Sequence, residues 1–343
     1  MTTKEKIIEL LKVNKKLTSR QLCEKLGITR QALNKHIKKL IESGVVIKQG
    51  NTKGTVYILS EGRKRPKPYK KVTRRFEITG LSEADVFEQF AALLELKELL
   101  RKNVYDIIEY SFTEILNNAI EHSNSSACDV DMIVDFYNVE FVIRDYGIGL
   151  YNSVAKKFGF ADEEEALFNL MKGKLTTMPE RHTGEGIFFV SRAGDFVQFR
   201  SHRLIMVFDN LKRDVFVGKK RLIKGTEVIF KIRRRSKRKS EEIFALYAPE
   251  EFDYKFEKTK VNVKLLSKSL ISRSQAKRML FGLEKFREVI LDFNGVEVMG
   301  QSFADEVFRV FKKLHPDVKI NVVNINAAVE RMISHVKEVD KKI

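Results

Sequence analysis

The first sixty residues place their apolar positions in a pattern typical of three short helices followed by two strands. The first helix carries its apolar side chains on one face, at Ile7, Ile8, Leu10 and Leu11. Thr18 and Thr29 precede the second and third helical patterns, where a hydroxyl caps free backbone N–H groups. Residues 45–47 and 55–59 predict the strands, and the turn-rich residues 49–54 between them predict a hairpin.

A second pattern, over residues 76–235, combines strands with strongly periodic helices. Helices are predicted at residues 81–100 and 103–121, and strands at 76–78, 130–135, 140–144, 196–201, 204–209 and 226–232. Between them lies a long polar segment at 151–182, with one helical patch at 163–171. Loops of this length are uncommon unless they are functional.

A third pattern, over residues 258–343, alternates strands and helices and predicts an α/β layer. Its predicted strands are 261–265, 289–293 and 318–323, and its predicted helices are 274–286 and 303–314. Charged segments at residues 61–75 and 236–257 separate the three patterns and are predicted to be linkers.

The N-terminal pattern resembles a winged helix-turn-helix domain at residues 1–60. In that family the third helix lies in the major groove of DNA. The resemblance implies that this helix presents five side chains to DNA, namely Arg30, Gln31, Asn34, Lys35 and Lys38. Lys53 in the hairpin would neutralise phosphates. A winged helix that binds protein is the alternative.

The charge distribution supports a polyanionic partner for this end of the chain. The formal net charge is +18, and residues 1–75 hold 21 of the 64 Lys and Arg residues but only 5 of the 46 Asp and Glu residues. Basicity concentrated in one segment indicates nucleic-acid binding by that segment. We therefore expect residues 1–75 to bind double-stranded DNA.

Three short motifs follow one another in the second pattern, at residues 114–122, 145–149 and 183–188. Glu114, Asn118 and His122 are spaced four apart, so they share one face of the predicted helix. Because this polar row lies opposite an apolar face, it predicts a helix with its polar side toward a cavity. A solvated polar stripe is the alternative.

In order and spacing, the three motifs resemble the GHKL ATP-binding fold of DNA gyrase, heat-shock-90 chaperones, histidine kinases and mismatch-repair ATPases. The resemblance implies ATP and Mg²⁺ as cofactors. Asn118 would hold Mg²⁺, Glu114 would act as the catalytic base on water, and His122 would lie near the phosphates. Asp145 would accept a hydrogen bond from the adenine amino group, and Thr226 would lie beside it.

The same resemblance assigns roles to four glycines and to the polar segment. Gly147 and Gly149 would let the backbone pass close to the base, and Gly184 and Gly186 would open a helix toward the phosphates. Residues 151–182 occupy the position of the ATP lid. Its candidate phosphate contacts are Lys172, Lys174 and Arg181.

Residues 291–305 resemble the STAS fold of anti-sigma-factor antagonists, in which a serine that opens a helix can be phosphorylated. Ser302 falls at that position and is the candidate phosphosite, although Gly300, Gln301 and Phe303 depart from the family pattern. The alternative is structural, because Ser302 with Asp305 is close to a capping box.

Taken together, the patterns predict a multidomain α+β protein. Its domains would be a winged helix at 1–60, a GHKL α/β sandwich at 76–235 with helices on one face of a mixed sheet, and a STAS-like domain at 258–343. The predicted function is an ATP-binding, DNA-binding transcriptional regulator with a possible slow ATPase, a protein partner at the STAS-like domain, and a homodimeric state. The alternatives are a serine protein kinase of the anti-sigma type, acting on its own STAS-like domain or on a partner, and a scaffold with a degenerate pocket.

Composition indicates the cellular compartment in which the protein functions. Two cysteines far apart, Cys23 and Cys128, indicate a reduced, cytoplasmic protein rather than a disulfide framework. No apolar run approaches the roughly 20 residues that a membrane span needs, so no membrane partner is expected.

Overall fold

A computed structural model of the 343-residue chain describes residues 2–42, 45–49, 55–60, 70–175, 185–253 and 255–340. The chain divides into two compact units. The first unit contains Met1–Val72 and Ile133–Val139, and the second contains Thr73–Met132 and Glu140–Ile343. The predicted second and third domains therefore belong to one compact unit.

The N-terminal part of the first unit consists of three helices and a three-stranded sheet. Its elements are α1 (Thr3–Asn14), β1 (Lys16–Thr18), α2 (Ser19–Leu26), α3 (Arg30–Glu42), β2 (Val46–Gln49) and β3 (Val56–Leu59). Strand β3 lies between β1 and β2 and is antiparallel to both. The three predicted helices and the two predicted strands are confirmed, whereas β1 was not predicted.

Local hydrogen bonds explain where these helices begin and end. The Thr18 side chain accepts from the Gln21 N–H, and the Gln21 side chain accepts in return from the Thr18 N–H, which forms a capping box. Gly27 ends α2 in the left-handed conformation, with φ of 64°. The Thr29 hydroxyl accepts from the Ala32 N–H at the start of α3.

Most of a seven-stranded sheet, in the order β4-β5-β6-β10-β7-β8-β9, belongs to the second unit. Its strands are β4 (Lys70–Glu77), β5 (Ala127–Val134), β6 (Asn138–Asp145), β7 (Phe196–Ser201), β8 (Leu204–Asp209), β9 (Asp214–Lys219) and β10 (Thr226–Arg233). The helices of this region are α4 (Glu83–Leu94), α5 (Leu96–Leu99), α6 (Lys102–His122), α7 (Leu150–Phe158), α8 (Glu163–Leu170) and α9 (Gly186–Ala193).

The structure corrects three predictions in this region. Residues 70–75 belong to strand β4 rather than to a linker, because an edge strand keeps its charged side chains in solvent. The helix predicted at 81–100 is two helices, since Glu95 takes a left-handed conformation with φ of 52°. Residues 151–175 are less irregular than predicted, because α7 buries Tyr151 and Val154. Residues 176–182 of the same predicted segment lie outside the described residues.

The C-terminal part of the second unit surrounds a parallel three-stranded sheet in the order β11-β13-β15. Its helices are α10 (Ser240–Tyr247), α11 (Arg273–Leu280), α12 (Gln301–Asp305), α13 (Phe311–Leu314) and α14 (Ala327–Asp340), with a π-helical turn at Glu306–Val310 between α12 and α13. Its strands are β11 (Lys258–Asn262), β12 (Ser269–Leu270), β13 (Glu288–Asp292), β14 (Val298–Met299) and β15 (Lys319–Val323).

The linker predicted at 236–257 contains helix α10, which packs into a hydrophobic core instead of spanning solvent. Phe244 and Tyr247 of α10 contact Phe189 and Phe188 of α9, with ring centroids 4.3 Å and 4.9 Å apart. Phe256 contacts both α9 rings, at 4.5 Å and 5.2 Å. One buried core therefore runs from α9 into the C-terminal sheet.

A buried lysine, Lys172, connects the end of α8 to helix α11 of the C-terminal part. Lys172 is 3% exposed. Its ammonium donates to the Asn169 side-chain oxygen at 2.7 Å and to the carbonyls of Arg278 at 3.1 Å and Phe281 at 3.0 Å. Both carbonyls lie at the C-terminal end of α11, where a cation is favourable. Burial lowers the pKa of Lys172 to about 7.

None of the helices in the described ranges has the length and apolar character that crossing a bilayer requires.

We predict that Phe256→Ala lowers the free energy of unfolding of the second unit by about 3–5 kcal/mol, because it leaves a cavity in the core shared by α9 and the C-terminal sheet. Chemical denaturation measures the loss. Hydrogen exchange should show α9 and β13 losing protection together, since they belong to one compact unit.

The matched control is Phe216→Ala, because Phe216 is 48% exposed on β9. Loss of protection in the C-terminal sheet alone would contradict the shared core.

Candidate functional site

A cavity of about 360 Å³ lies within the second unit. It is bounded by one face of α6, the end of β6, the loop into α7, the start of α9 and the start of β10. Seven of the predicted site residues line it: Glu114, Asn118, His122, Asp145, Gly149, Gly186 and Thr226. Its volume lies in the range of small-molecule sites.

Helix α6 brings the polar row to the cavity because its opposite face is buried. Phe112 is fully buried and contacts Phe87 of α4 and Phe141 of β6, with ring centroids 5.5 Å and 5.4 Å apart. With that face fixed, Glu114 and Asn118 lie one turn apart on the cavity side. The prediction that this row faces a cavity is confirmed.

Hydrogen bonds orient Asn118 within the row. Its side-chain nitrogen donates to the Glu114 carbonyl at 2.8 Å. The amide oxygen is therefore the atom that Asn118 can offer to a cation or a donor in the cavity. Gly186 lies against the other end of this pair, because a Cβ at that position would overlap the Glu114 carboxylate.

Asp145 is a buried carboxylate at the end of β6, with 5% of its surface exposed. Its Oδ1 accepts from the N–H groups of Gly147 at 2.9 Å and Thr226 at 3.2 Å. Burial raises the pKa of Asp145, and these backbone hydrogen bonds oppose the rise by stabilising the carboxylate. The Thr226 hydroxyl accepts from the Leu150 N–H at 2.9 Å, which ties β10 to the start of α7.

The loop after Asp145 is tied to the end of α6. The Ile148 N–H donates to the Ser123 carbonyl at 2.8 Å, and the Tyr146 N–H donates to the Ser125 hydroxyl at 3.2 Å. Gly147 fits there only because it lacks a Cβ, which would overlap the Ser123 carbonyl. Gly147 itself does not line the cavity, so its described contacts assign it to loop packing.

The Glu114 end of the cavity has an aromatic wall that the sequence analysis missed. Tyr110, Phe189 and Phe244 line it, with Tyr110 and Phe244 edge to face at 5.5 Å. Tyr110 lies four residues before Glu114 and extends the α6 row by one turn, a signal that the spacing contained. Burial, reinforced by Glu114 and Glu185, raises the pKa of Tyr110 and keeps its hydroxyl protonated.

Several predicted contacts lie elsewhere. Lys172 donates to the Arg278 carbonyl at the end of α11, and Lys174 donates to the Lys285 carbonyl at 2.8 Å. Neither lysine lines the cavity. Both lysines were predicted to contact phosphates. The sequence could not show their actual acceptors, because those carbonyls lie more than 100 residues further along the chain. Gly184 and Arg181 lie outside the described residues.

The predicted DNA-facing side chains lie together on the exposed surface of α3. They are Arg30, Gln31, Asn34, Lys35 and Lys38, and all five are exposed. Leu33, Ile37 and Leu40 are buried in the core of the first unit and hold the other face of the helix. Lys53 lies outside the described residues.

Ser302 is exposed in the first turn of α12. The residue that caps this helix is Gly300, and its cap makes no side-chain hydrogen bond. The capping-box interpretation of Ser302 is therefore wrong, because the helix begins two residues earlier than that motif requires.

Comparison with protein-family models supports two of the three predicted domains. Residues 2–47 match a winged helix-turn-helix DNA-binding family, and residues 275–330 match a STAS-like domain of unknown function (DUF4325). The chain thus carries an N-terminal winged helix-turn-helix and a C-terminal STAS-like domain. No GHKL ATPase family model matches the residues between them. A search of curated proteins finds no significant match to the chain.

We predict that Gly147→Ala lowers the free energy of unfolding by about 1–3 kcal/mol, because the added methyl displaces either the loop or the end of α6. Chemical denaturation measures this loss. Gly218→Ala is the control, since a Cβ there meets only ordinary contact with Ile205 at 3.6 Å. Equal stability of Gly147→Ala and the wild type would contradict the close approach.

Proposed function

We propose that this chain is a DNA-binding transcriptional regulator whose second unit binds ATP with Mg²⁺ in the manner of GHKL proteins. The observation that carries the proposal is the convergence of residues from all three motifs, Glu114, Asn118, Asp145 and Gly186, on one cavity. These residues are separated by up to 72 positions in the chain, from 114 to 186. Their meeting at one cavity supports a shared ligand.

The adenine would occupy the Asp145 end of the cavity. Asp145 is a buried acceptor there, and Gly149 and Thr226 line the cavity beside it. An exocyclic amino group donates to a carboxylate, so this end suits adenine. Ile143 and Val228 contribute apolar surface for the ring.

The phosphates would occupy the end formed by Asn118 and the start of α9. Backbone N–H groups at a helix N-terminus favour anions, and α9 begins at Gly186 on the cavity wall. Mg²⁺ takes few protein ligands and several phosphate oxygens, so Asn118 would hold it together with the phosphates. Bound ATP would supply a transferable phosphoryl group, for which Glu114 would orient water.

The first unit would bind DNA through α3. Gln31 and Asn34 can each make paired hydrogen bonds to adenine edges, and Arg30 can do so to guanine. Lys35 and Lys38 are exposed beside them and would contact phosphates.

Protein-kinase activity toward Ser302 is the second candidate. Exposure of this hydroxyl in the first turn of α12 favours it, because a phosphate is stabilised at a helix N-terminus. Ser302 does not line the cavity, so ATP binding ranks ahead of transfer. Radiolabel that passes from ATP to the wild type but not to Ser302→Ala would favour the kinase.

We predict that Asp145→Asn and Asn118→Ala each weaken ATP-Mg²⁺ binding by about 1.5–3 kcal/mol, the value of a hydrogen bond to a charged group. Asn at position 145 keeps an acceptor for Gly147 and Thr226, so the loop should persist. Isothermal titration calorimetry measures the affinity.

The control is Glu109→Gln, because Glu109 is exposed on α6 and does not line the cavity. The proposal fails if the wild type binds no ATP, or if all three variants bind it as the wild type does.

We also predict that Gln31→Ala and Asn34→Ala each cost about 1–3 kcal/mol of DNA affinity and relax base preference. Lys38→Ala should reduce the slope of log affinity against log salt by about 1. Fluorescence anisotropy over a salt series measures both effects. Lys25→Ala is the control, because Lys25 is exposed on α2 rather than on α3. The same titration with and without ATP tests control by nucleotide, since a ligand shifts an equilibrium only by differential affinity.

The α3 assignment would be contradicted if only Lys25→Ala weakened binding.

A further inference from the structure

One wall of the cavity rests on the C-terminal part of the second unit. Leu170 and Leu175 line the cavity on either side of Lys172, Phe189 lines it from α9, and Phe244 lines it from α10. Asn118 lines it from α6, and Asp145 lines it from the end of β6 in the seven-stranded sheet. A ligand in the cavity would therefore touch both parts of the unit.

The segment 169–175 is fixed to the C-terminal part by side chains that do not face the cavity. The Lys172 ammonium has three acceptors for its three donors, two of them at the end of α11. The Thr259 hydroxyl of β11 donates to the Lys172 carbonyl at 2.6 Å and is fully buried. Lys174 pairs with Glu257 at 3.2 Å.

Helix α9 is fixed in the same way through its apolar face. Phe188 and Phe189 pack against Phe256, and Gly173 also lies against that ring, since a Cβ at 173 would lie 2.6 Å from it. Because packed cores respond to strain in discrete steps rather than by smooth deformation, a shift of α11 or β11 would be passed to both wall segments.

We propose that the C-terminal part of the second unit, which contains the STAS-like match at 275–330, controls the cavity within the same chain. The coupling element is the seam, defined as the contacts of Lys172 with α11 and with Thr259 of β11. The predicted effect on nucleotide affinity rests on the proposed function, because it requires the cavity to bind ATP. Lys172 and Thr259 are positioning residues in this scheme, because they hold the wall without touching the ligand. By linkage, a ligand in the cavity would stabilise this seam as much as the seam favours the ligand.

Two variants loosen the seam without altering the cavity lining. Thr259→Val removes one hydrogen bond with little change in volume, and Lys172→Met removes the ammonium from the end of α11. Asn321→Ala is the matched control, since it removes a 2.8 Å hydrogen bond to Glu288 within the C-terminal sheet but outside the seam.

Hydrogen exchange on the ligand-free full-length chain is the first measurement. Thr259→Val and Lys172→Met should speed exchange in residues 169–175 and in α9, whereas Asn321→Ala should leave those peptides unchanged. Unchanged exchange in both seam variants would overturn the inference. This readout needs no nucleotide, so it decides the coupling even if the wild type binds no ATP.

Calorimetry with ATP-Mg²⁺ is the second measurement. The seam variants should bind about 5- to 150-fold more weakly than the wild type, the usual range of allosteric coupling, and Asn321→Ala should bind as the wild type does. Equal affinities in all four proteins, with binding intact, would reject control of the cavity while leaving the proposed function standing.

Discussion

Helix α6 can bury only one of its faces against the sheet and α4, and the site depends on that constraint. Phe112, Ile107 and Leu116 are fully buried, so the helix has one rotational setting. Residues four apart on the other face must then point the same way, which brings Glu114 and Asn118 to one cavity. The end of the same helix holds the loop that follows Asp145, so both ends of the cavity are set by one element.

Helix α9 connects the cavity to the C-terminal part of the second unit. Its first residue, Gly186, lies against Glu114, while Phe188 and Phe189, two and three residues later, are buried with Phe256. A helix of eight residues thus borders the cavity and belongs to the core around the parallel sheet. The buried ammonium of Lys172 joins the same two regions where α8 ends.

The sequence was most informative where local periodicity determines structure. Short segments were enough to predict helix α6 and its polar row with four-residue spacing. They were also enough to predict Asp145 at the end of a strand. Helix α10 could not, because Phe244 and Tyr247 stand in a charged segment and find their partners on α9. Lys172 had the appearance of a surface cation, since its acceptor at Arg278 lies 106 residues further along the chain.

We propose that ATP binds in the cavity between α6, β6, α9 and β10. A crystal structure with Mg²⁺ and a non-hydrolysable ATP analogue tests it most directly. We expect the adenine amino group within hydrogen-bonding distance of Asp145, and the phosphates and Mg²⁺ between Asn118 and the start of α9. Analogue bound elsewhere, or absent from the cavity at saturating concentration, would contradict the account.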